Sequence, residues 1–231
     1  MFAKRKNALV GEGIFVPGWG APALLYRRGL PTGWTVLELP SFREARGTLD
    51  RHRACVRAAL AGRREPVALA GHSLGAALAV LAAAETPDAV SALVLVSPAG
   101  LPLAKPLTAS ALTLARQILQ GAYPAWALAR KAAAILSAPR ATLALARVAH
   151  DLDVSRELAA VRAHVTPCTV VAARSDRLTT CEHCRRVAEL LGCEYRELDA
   201  RDGHIWPITQ PELLRRELEH LPPATPARLA S

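Results

Sequence analysis

Six short runs of the chain are predicted as β-strands. They are "GIFV" (13–16), "TVLEL" (35–39), "PVALA" (66–70), "ALVLV" (92–96), "CTVVAA" (168–173) and "EYREL" (194–198). Several are apolar at every position, as strands covered on both faces of a sheet must be. Leu, Val and Ala recur at helical spacing between most of them, at about 48–62, 75–85, 180–191 and 211–220. This alternation predicts an α/β fold with a mostly parallel sheet of about six strands, flanked by helices.

Residues 101–165 interrupt the alternation. They contain no convincing strand, but several Ala- and Leu-rich helical stretches that are broken at Pro106, Gly121, Pro124 and Pro139. The segment follows the fourth predicted strand, at the carboxyl edge of the sheet, where α/β proteins keep their ligand crevice. We therefore interpret 101–165 as a helical cap inserted within a single domain that covers residues 1–231.

The apolar run from Val67 to Ala84 allows two interpretations. Its length meets the threshold for a membrane-spanning helix. Its centre, "GHSLG", instead fits a buried strand that turns sharply into a helix beginning near residue 74, with Ser73 at the turn. The second interpretation accounts for the two glycines and the small alanines that follow, so we expect no membrane span. It also places Ser73 beside the unpaired N–H groups of a helix start.

The "GHSLG" segment matches the G-x-S-x-G pattern of a nucleophile elbow. A serine hydroxyl needs a base, and a neutral imidazole needs an orienting carboxylate. Asp176 follows the fifth predicted strand and His204 follows the sixth. The sequence therefore predicts a triad of Ser73, Asp176 and His204. Asp151 and Asp153 are weaker candidates for the acid, because "HDLDVSREL" has the pattern of a capped helix boundary.

With these motifs the sequence resembles the α/β-hydrolase superfamily, in the form of a serine esterase with a helical cap. The segments "GHSLG", "RSDRL" and "DGHIWP" carry the resemblance, and "FVPGWG" looks like the oxyanion loop of that superfamily. The resemblance implies that the backbone N–H groups of Trp19 and Leu74 hold the oxyanion. Pro17 stands where many relatives have His, so a supporting hydrogen bond of the loop is expected to be missing.

The triad predicts a serine hydrolase that cleaves a carboxylic ester of modest size and needs no metal or organic cofactor. The same residues would serve a hydrolase acting on a C–C bond, a thioester or an amide, and a non-catalytic binding protein of this fold is a third alternative. Trp19, Tyr123, Trp126 and the apolar cap helices suggest substrate contacts with an apolar acyl or alkyl group.

The net charge of +9 is concentrated in one part of the chain. Residues 101–150 contain no Asp or Glu but six basic residues, namely Lys105, Arg116, Arg130, Lys131, Arg140 and Arg147. Nucleic-acid surfaces usually interleave such charges repeatedly with stacking aromatic residues, whereas Tyr123 and Trp126 are the only aromatic residues in this segment. We therefore expect a solvated helix face rather than a nucleic-acid partner, although the charge could favour an anionic small-molecule substrate.

The five cysteines favour a reducing compartment, because their number is odd and the chain is too long to depend on disulfides. The basic start lacks the apolar stretch of an export signal, so a cytoplasmic location is expected. Cys181 and Cys184 in "CEHC" lack the second close pair of a structural zinc site, and no metal site is expected. A redox role for this pair is a further hypothesis, since a helix start stabilises a thiolate.

Overall fold

The computed structural model describes residues 12–165 and 167–220. The basic amino-terminal segment, where we expect no export signal, and the Pro-rich tail from Leu221 lie outside the described residues. The strands are β1 (Gly13–Val16), β2 (Trp34–Val36), β3 (Val67–His72), β4 (Val90–Val96), β5 (Cys168–Ala173) and β6 (Glu194–Leu198). They form one sheet in the order β2-β1-β3-β4-β5-β6, and every neighbouring pair is parallel. The predicted α/β fold is confirmed.

The helices largely follow the predicted pattern. They are α1 (Phe42–Ala45), α2 (Asp50–Ala61), α3 (Leu74–Glu85), α4 (Leu107–Gln120), α5 (Ala125–Ser137), α6 (Pro139–Asp151), α7 (Ser155–His164), α8 (Cys181–Leu191), α9 (Trp206–Thr209) and α10 (Pro211–Glu219). The short helices α1 and α9 were not part of the sequence prediction. Each is a single turn, too short to give a readable helical period.

Alternate residues of the strands face two separate apolar cores. Along β4, Leu93 and Leu95 pack into the core that contains α3, α7 and α8, whereas Val94 and Val96 face the core that contains Trp206 and α10. Strands covered on both faces must be apolar throughout, which explains the continuous runs in the sequence. Because all six strands are parallel, their carboxyl ends share one edge of the sheet. The turns carrying Ser73, Asp176 and His204 lie at that edge.

Residues 101–165, predicted as an inserted cap, contain a group of three helices that is called the cap from here on. Helices α4, α5 and α6 form it, and α6 packs against both α4 and α5. Helix α7 instead packs against α3 and α8, and its Leu158 and Val161 are fully buried in the sheet core. The final part of the segment therefore belongs to the helical layer of the sheet. Leu158 and Val161 give the same helical pattern whether they face a cap or a sheet. The sequence alone therefore did not show which of these α7 contacts.

No single helix in the described part of the chain is long and apolar enough to cross a membrane. Helices α5 and α6 meet the length and composition criteria only when taken together, and the chain bends by 105° between them.

Candidate active site

Ser73 lies at a strained turn between β3 and α3. Its φ of 56° and ψ of −123° are a conformation that side chains with a Cβ rarely adopt. The flanking glycines allow this turn, since a Cβ on Gly71 would lie 2.3 Å from the Gly75 carbonyl oxygen. A Cβ on Gly75 would lie 2.2 Å from the Val16 carbonyl oxygen. Only glycine therefore lets the first turn of α3 approach the end of β1.

Backbone hydrogen bonds hold the turn at the edge of the sheet. The Ser73 N–H donates to the Val96 carbonyl at 3.1 Å, and the Ser73 carbonyl accepts from the Ala99 N–H at 3.1 Å. Both partners belong to the end of β4 or the loop after it. The Ser73 side chain remains partly exposed to the space beneath the cap.

Asp176 and His204 are joined by a hydrogen bond of 2.8 Å from His204 Nδ1 to Asp176 Oδ2. Asp176 also accepts from the Leu178 N–H at 2.8 Å and from the Thr179 N–H at 3.1 Å. Thr179 Oγ1 lies 2.9 Å from Asp176 Oδ2 as well. Both side chains of the pair are almost entirely buried. The carboxylate thus fixes the orientation of the imidazole, since the other contacts fix the carboxylate.

Asp176 is ionised at neutral pH in spite of its burial. Burial by itself would raise the pKa of its carboxyl group, but the His204 imidazole and the hydrogen bonds to His204, Leu178 and Thr179 outweigh that effect. The pKa of Asp176 consequently lies below its ordinary value. An ionised acceptor keeps the proton of His204 on Nδ1, which leaves Nε2 available as a base.

Ser73 and His204 line the same small cavity of about 40 Å³. Among the described residues no hydrogen bond joins Ser73 Oγ to the imidazole. Such contacts are often longer in the absence of substrate than in the reacting complex. The structure therefore brings the three predicted triad residues to one edge of the sheet, with two of them in direct contact.

The two expected oxyanion donors lie on either side of this turn. Leu74 is the first residue of α3, where backbone N–H groups have no acceptor within the helix. Trp19 follows Gly18 in the loop after β1, and a Cβ on Gly18 would lie 3.4 Å from Ser73 Cβ. The hydrogen bonds of the described residues leave the N–H groups of Trp19 and Leu74 without an acceptor.

A chain of buried side chains links this loop to His204. The Gly18 N–H donates to Tyr26 Oη at 3.3 Å, Tyr26 Oη lies 2.8 Å from His72 Nδ1, and His72 Nε2 lies 2.9 Å from the His204 carbonyl oxygen. Because a carbonyl oxygen only accepts, His72 Nε2 carries the proton. Nδ1 of the neutral ring then accepts from the Tyr26 hydroxyl. Each donor and acceptor in this series of hydrogen bonds therefore has a partner.

Burial keeps His72 and Tyr26 each in one protonation state. It lowers the pKa of His72 to about 3, with the neighbouring His204 lowering it further, so His72 is neutral at physiological pH. Burial also raises the pKa of Tyr26, whose hydroxyl therefore stays protonated. The sequence favoured a packed or hydrogen-bonded structural role for His72, but "YRRGL" gave no sign that Tyr26 reaches the elbow.

The loop containing Trp19, which is the expected oxyanion loop, has two supports. One is the Gly18–Tyr26 contact. The other is Lys131 of α5, whose Nζ donates to the Trp19 carbonyl oxygen at 2.7 Å and lies 4.6 Å from the centroid of the Trp19 ring. The cap therefore helps to hold the loop. Lys131 was predicted only as one of several solvated cap charges.

Two larger cavities adjoin the small one that contains Ser73 and His204. An apolar cavity of about 120 Å³ lies between α4 and α6. It is lined by Trp19, Ser73, Leu74, Ala99, Leu103, Leu107, Ser110, Ala111, Leu114, Ala146, Ala149, His150, Leu178 and Thr179. A polar cavity of about 270 Å³ lies on the other side of Trp19, and its polar lining comprises Glu38, Ser41, Glu44, His52, Arg130 and Lys131.

The three expected substrate contacts differ in position. Trp19 lines all three cavities, and Tyr123 lines the small cavity with Ser73 and His204. Trp126 is 47 % exposed and lines none of them, so its position does not support the expected contact. In α5 it lies one residue before the fully buried Ala127, on the outer face of the helix.

The competing acidic residues have other partners. The Asp153 carboxylate accepts at 2.9 Å from the N–H of Ser155, the first residue of α7. Asp151 is exposed and pairs with His150. Neither lines the cavity shared by Ser73 and His204.

The "CEHC" pair does not have the environment on which the redox hypothesis rested. Both thiols are free, and burial raises the pKa of Cys181 and of Cys184. A stabilised thiolate would instead show a lowered pKa. Within residues 12–165 and 167–220, no three His, Cys, Asp or Glu side chains cluster as metal ligands would.

Replacing Tyr26 by Phe is expected to lower the free energy of unfolding by about 1–3 kcal/mol, because the buried Gly18 N–H and His72 Nδ1 lose their partner. Urea denaturation with an unchanged m-value would measure the loss. Tyr123→Phe is the matched control, since the Tyr123 hydroxyl makes no hydrogen bond among the described residues. Equal stability of the two variants would contradict the hydrogen-bond chain.

Comparison with known proteins is consistent with this geometry. A 73-residue stretch is 45 % identical to monoglyceride lipase of Rattus norvegicus, covering 31 % of this chain and only 23 % of the lipase. Among solved structures, a hydrolase from Oleispira antarctica shares 17 % identity with a TM-score of 0.70, over 91 % of this chain and 90 % of that one. A thermophilic esterase from Thermogutta terrifontis shares 17 % identity with a TM-score of 0.57, over 90 % and 87 %.

These two structures share the fold of this chain. A family model described as the alpha/beta hydrolase family matches residues 14–217, which include the elbow and the turns carrying Asp176 and His204. Because this match spans most of the chain, we conclude that the chain belongs to the alpha/beta hydrolase family.

Proposed function

We propose that this hydrolase cleaves a carboxylic ester of modest size by forming an acyl-enzyme on Ser73. The observation that carries the proposal is the buried Asp176–His204 hydrogen bond, together with the cavity that His204 shares with Ser73 at its strained turn. The similarity to monoglyceride lipase over part of the chain supports an ester as the substrate.

In the first half of the reaction, Ser73 Oγ attacks the ester carbonyl carbon while His204 Nε2 takes its proton. Asp176 stabilises the imidazolium that forms, through the bond to Nδ1. The carbonyl oxygen becomes an oxyanion, which the N–H groups of Trp19 and Leu74 stabilise. Losing one such donor typically lowers kcat by about a hundredfold to a thousandfold. His204 then protonates the departing alcohol, and the ester C–O bond breaks.

In the second half, water takes the place of the alcohol. His204 Nε2 removes a proton from the water, whose oxygen attacks the acyl carbon and forms a second oxyanion at the same N–H groups. Collapse of this intermediate releases the carboxylic acid and returns the proton to Ser73 Oγ.

The positions of the cavities favour one orientation of the ester in the site. The leaving alcohol must lie near His204, which protonates it, and His204 lines only the small cavity of the three. The acyl group then occupies the apolar cavity between α4 and α6. Its volume of about 120 Å³ is well below the ~300–1,000 Å³ of pockets for drug-sized ligands, which favours a short acyl group.

Ser73→Ala is expected to lower the rate of hydrolysis of p-nitrophenyl butyrate by at least about a thousandfold, because the nucleophile is lost. Exposed Ser137 on α5 provides the control, and Ser137→Ala should match the wild type. Rates on p-nitrophenyl acetate, butyrate, octanoate and palmitate should decline for the longest chain. Failure of the wild type to hydrolyse any of these esters would contradict the assignment.

Asp176→Asn is expected to lower kcat on the same ester by on the order of ten-thousandfold, because the amide no longer stabilises the imidazolium and permits the wrong tautomer of His204. Asp151→Asn tests the competing acid and should leave kcat unchanged. A larger loss in the Asp151 variant than in the Asp176 variant would reverse the assignment of the acid.

A further inference from the structure

Lys131 is the exception among the basic residues of the cap. Five of the six basic residues between 101 and 150 are exposed, as the charge pattern predicted, but Lys131 is only 8 % exposed. It follows the buried Ala127 by one helical turn, on the face of α5 that also carries the partly buried Ala134 and Ile135. A lysine therefore occupies a position that the pattern of α5 assigns to an apolar residue.

Within residues 12–165 and 167–220, no carboxylate pairs with this ammonium group. Its one hydrogen bond among the described residues goes to the Trp19 carbonyl oxygen, and none of the ion pairs in the described part of the chain includes Lys131. A carbonyl oxygen and an aromatic face satisfy only part of a buried ammonium with three donors. Burial lowers the pKa of Lys131 to about 8, so most of it still carries a charge at neutral pH.

The position of Lys131 relates this charge to the reaction. Lys131 lines the small cavity with Ser73 and His204, and it also lines the polar cavity beyond Trp19. It does not line the apolar cavity. The charge therefore lies on the side of the substrate where His204 releases the alcohol.

None of the described residues that line the small cavity carries a carboxylate, which would oppose an anion. In the polar cavity, Glu38 and Glu44 are both exposed, and Glu44 already accepts from the N–H and the hydroxyl of Ser41. Two buried polar atoms near this cavity, Trp19 Nε1 and His52 Nδ1, have no partner among the described residues. The indole N–H is a donor that a second anion oxygen would satisfy.

We propose that Lys131 is a specificity-determining residue that binds an anionic group on the alcohol portion of the ester, so that the preferred substrates are short-chain acyl esters of alcohols carrying a carboxylate or a similar anion. The inference rests on the proposed function, because the assignment of the alcohol side follows from the role of His204. A bound anion would accept the hydrogen bonds that the Lys131 ammonium group has left to donate. It would lie where the small cavity and the polar cavity meet, since Lys131 lines both.

A matched pair of esters tests this proposal. The pair is 4-carboxyphenyl butyrate and 4-carbamoylphenyl butyrate, which share the acyl group and differ only in the charge of the leaving phenol. At pH 7 the ratio of kcat/KM for the anionic ester to that for the neutral ester is measured in the wild type and in Lys131→Met. We expect the ratio to fall by about tenfold or more in the variant, as for loss of a hydrogen bond to a charged group.

Arg140→Met is the control for net charge. Arg140 is exposed on α6 and lines none of the three cavities, so the ratio should equal that of the wild type. Equal losses of rate on both esters in Lys131→Met would overturn the proposal and leave Lys131 as a support of the Trp19 loop. If the wild type hydrolyses the neutral ester and the ratio of kcat/KM is the same in Lys131→Met, this proposal is also overturned. The proposed function would then stand.

Binding of the free phenols provides a test that does not require activity or a folded variant. Calorimetry on the wild-type protein should give a Kd for 4-hydroxybenzoate about tenfold or more below that for 4-hydroxybenzamide. Equal affinities would overturn the proposal. If neither ester is hydrolysed, the proposed function fails instead, and calorimetry repeated on Lys131→Met still decides whether the preference for the anionic phenol depends on Lys131.

Discussion

The close approach of the first turn of α3 to the end of β1 is the constraint on which the site depends. Gly75 permits it, because any Cβ there would collide with the carbonyl oxygens of Val16 and Pro17 at 2.2 and 2.5 Å. The approach brings the loop containing Trp19 beside the helix start at Leu74. It also forces Ser73 into its strained backbone conformation, which exposes the side chain at the edge of the sheet.

The rest of the site holds this arrangement in place. Ser97 has a positive φ of 41° at the end of β4, and its carbonyl accepts from Thr179 Oγ1, which also lies 2.9 Å from Asp176 Oδ2. The Tyr26–His72 pair connects the loop containing Trp19 to the backbone of His204. Buried polar groups matched in this way tolerate few alternative geometries, since any shift leaves a donor or an acceptor without a partner.

Much of this organisation could be predicted from the sequence because it depends on local patterns. Continuous apolar runs identified the strands, and residues that follow parallel strands must meet at one edge, which brought Ser73, Asp176 and His204 together. Contacts between distant segments gave no such signal. The Tyr26–His72 contact joins residues 46 positions apart, and nothing in either neighbourhood predicts the other.

Lys131 shows a different limit of sequence analysis. The basic residues of the cap look alike in composition, and only their position on each helix separates a buried charge from a solvated one. The spacing of one helical turn from Ala127 to Lys131 indicates a buried position. That indication conflicts with the general rule that lysine is exposed. A related limit applies to α7, because its apolar positions do not reveal which layer of the fold they contact.

We propose that Ser73 faces two backbone donors, the N–H groups of Trp19 and Leu74, in a preformed site. The most direct measurement is a crystal structure of the protein after reaction with a short alkyl fluorophosphonate. We predict phosphorus bonded to Ser73 Oγ, the phosphoryl oxygen within hydrogen-bonding distance of the Trp19 and Leu74 backbone nitrogens, and the alkyl group between α4 and α6. Phosphorus on another residue, or a phosphoryl oxygen turned away from both nitrogens, would contradict the claim.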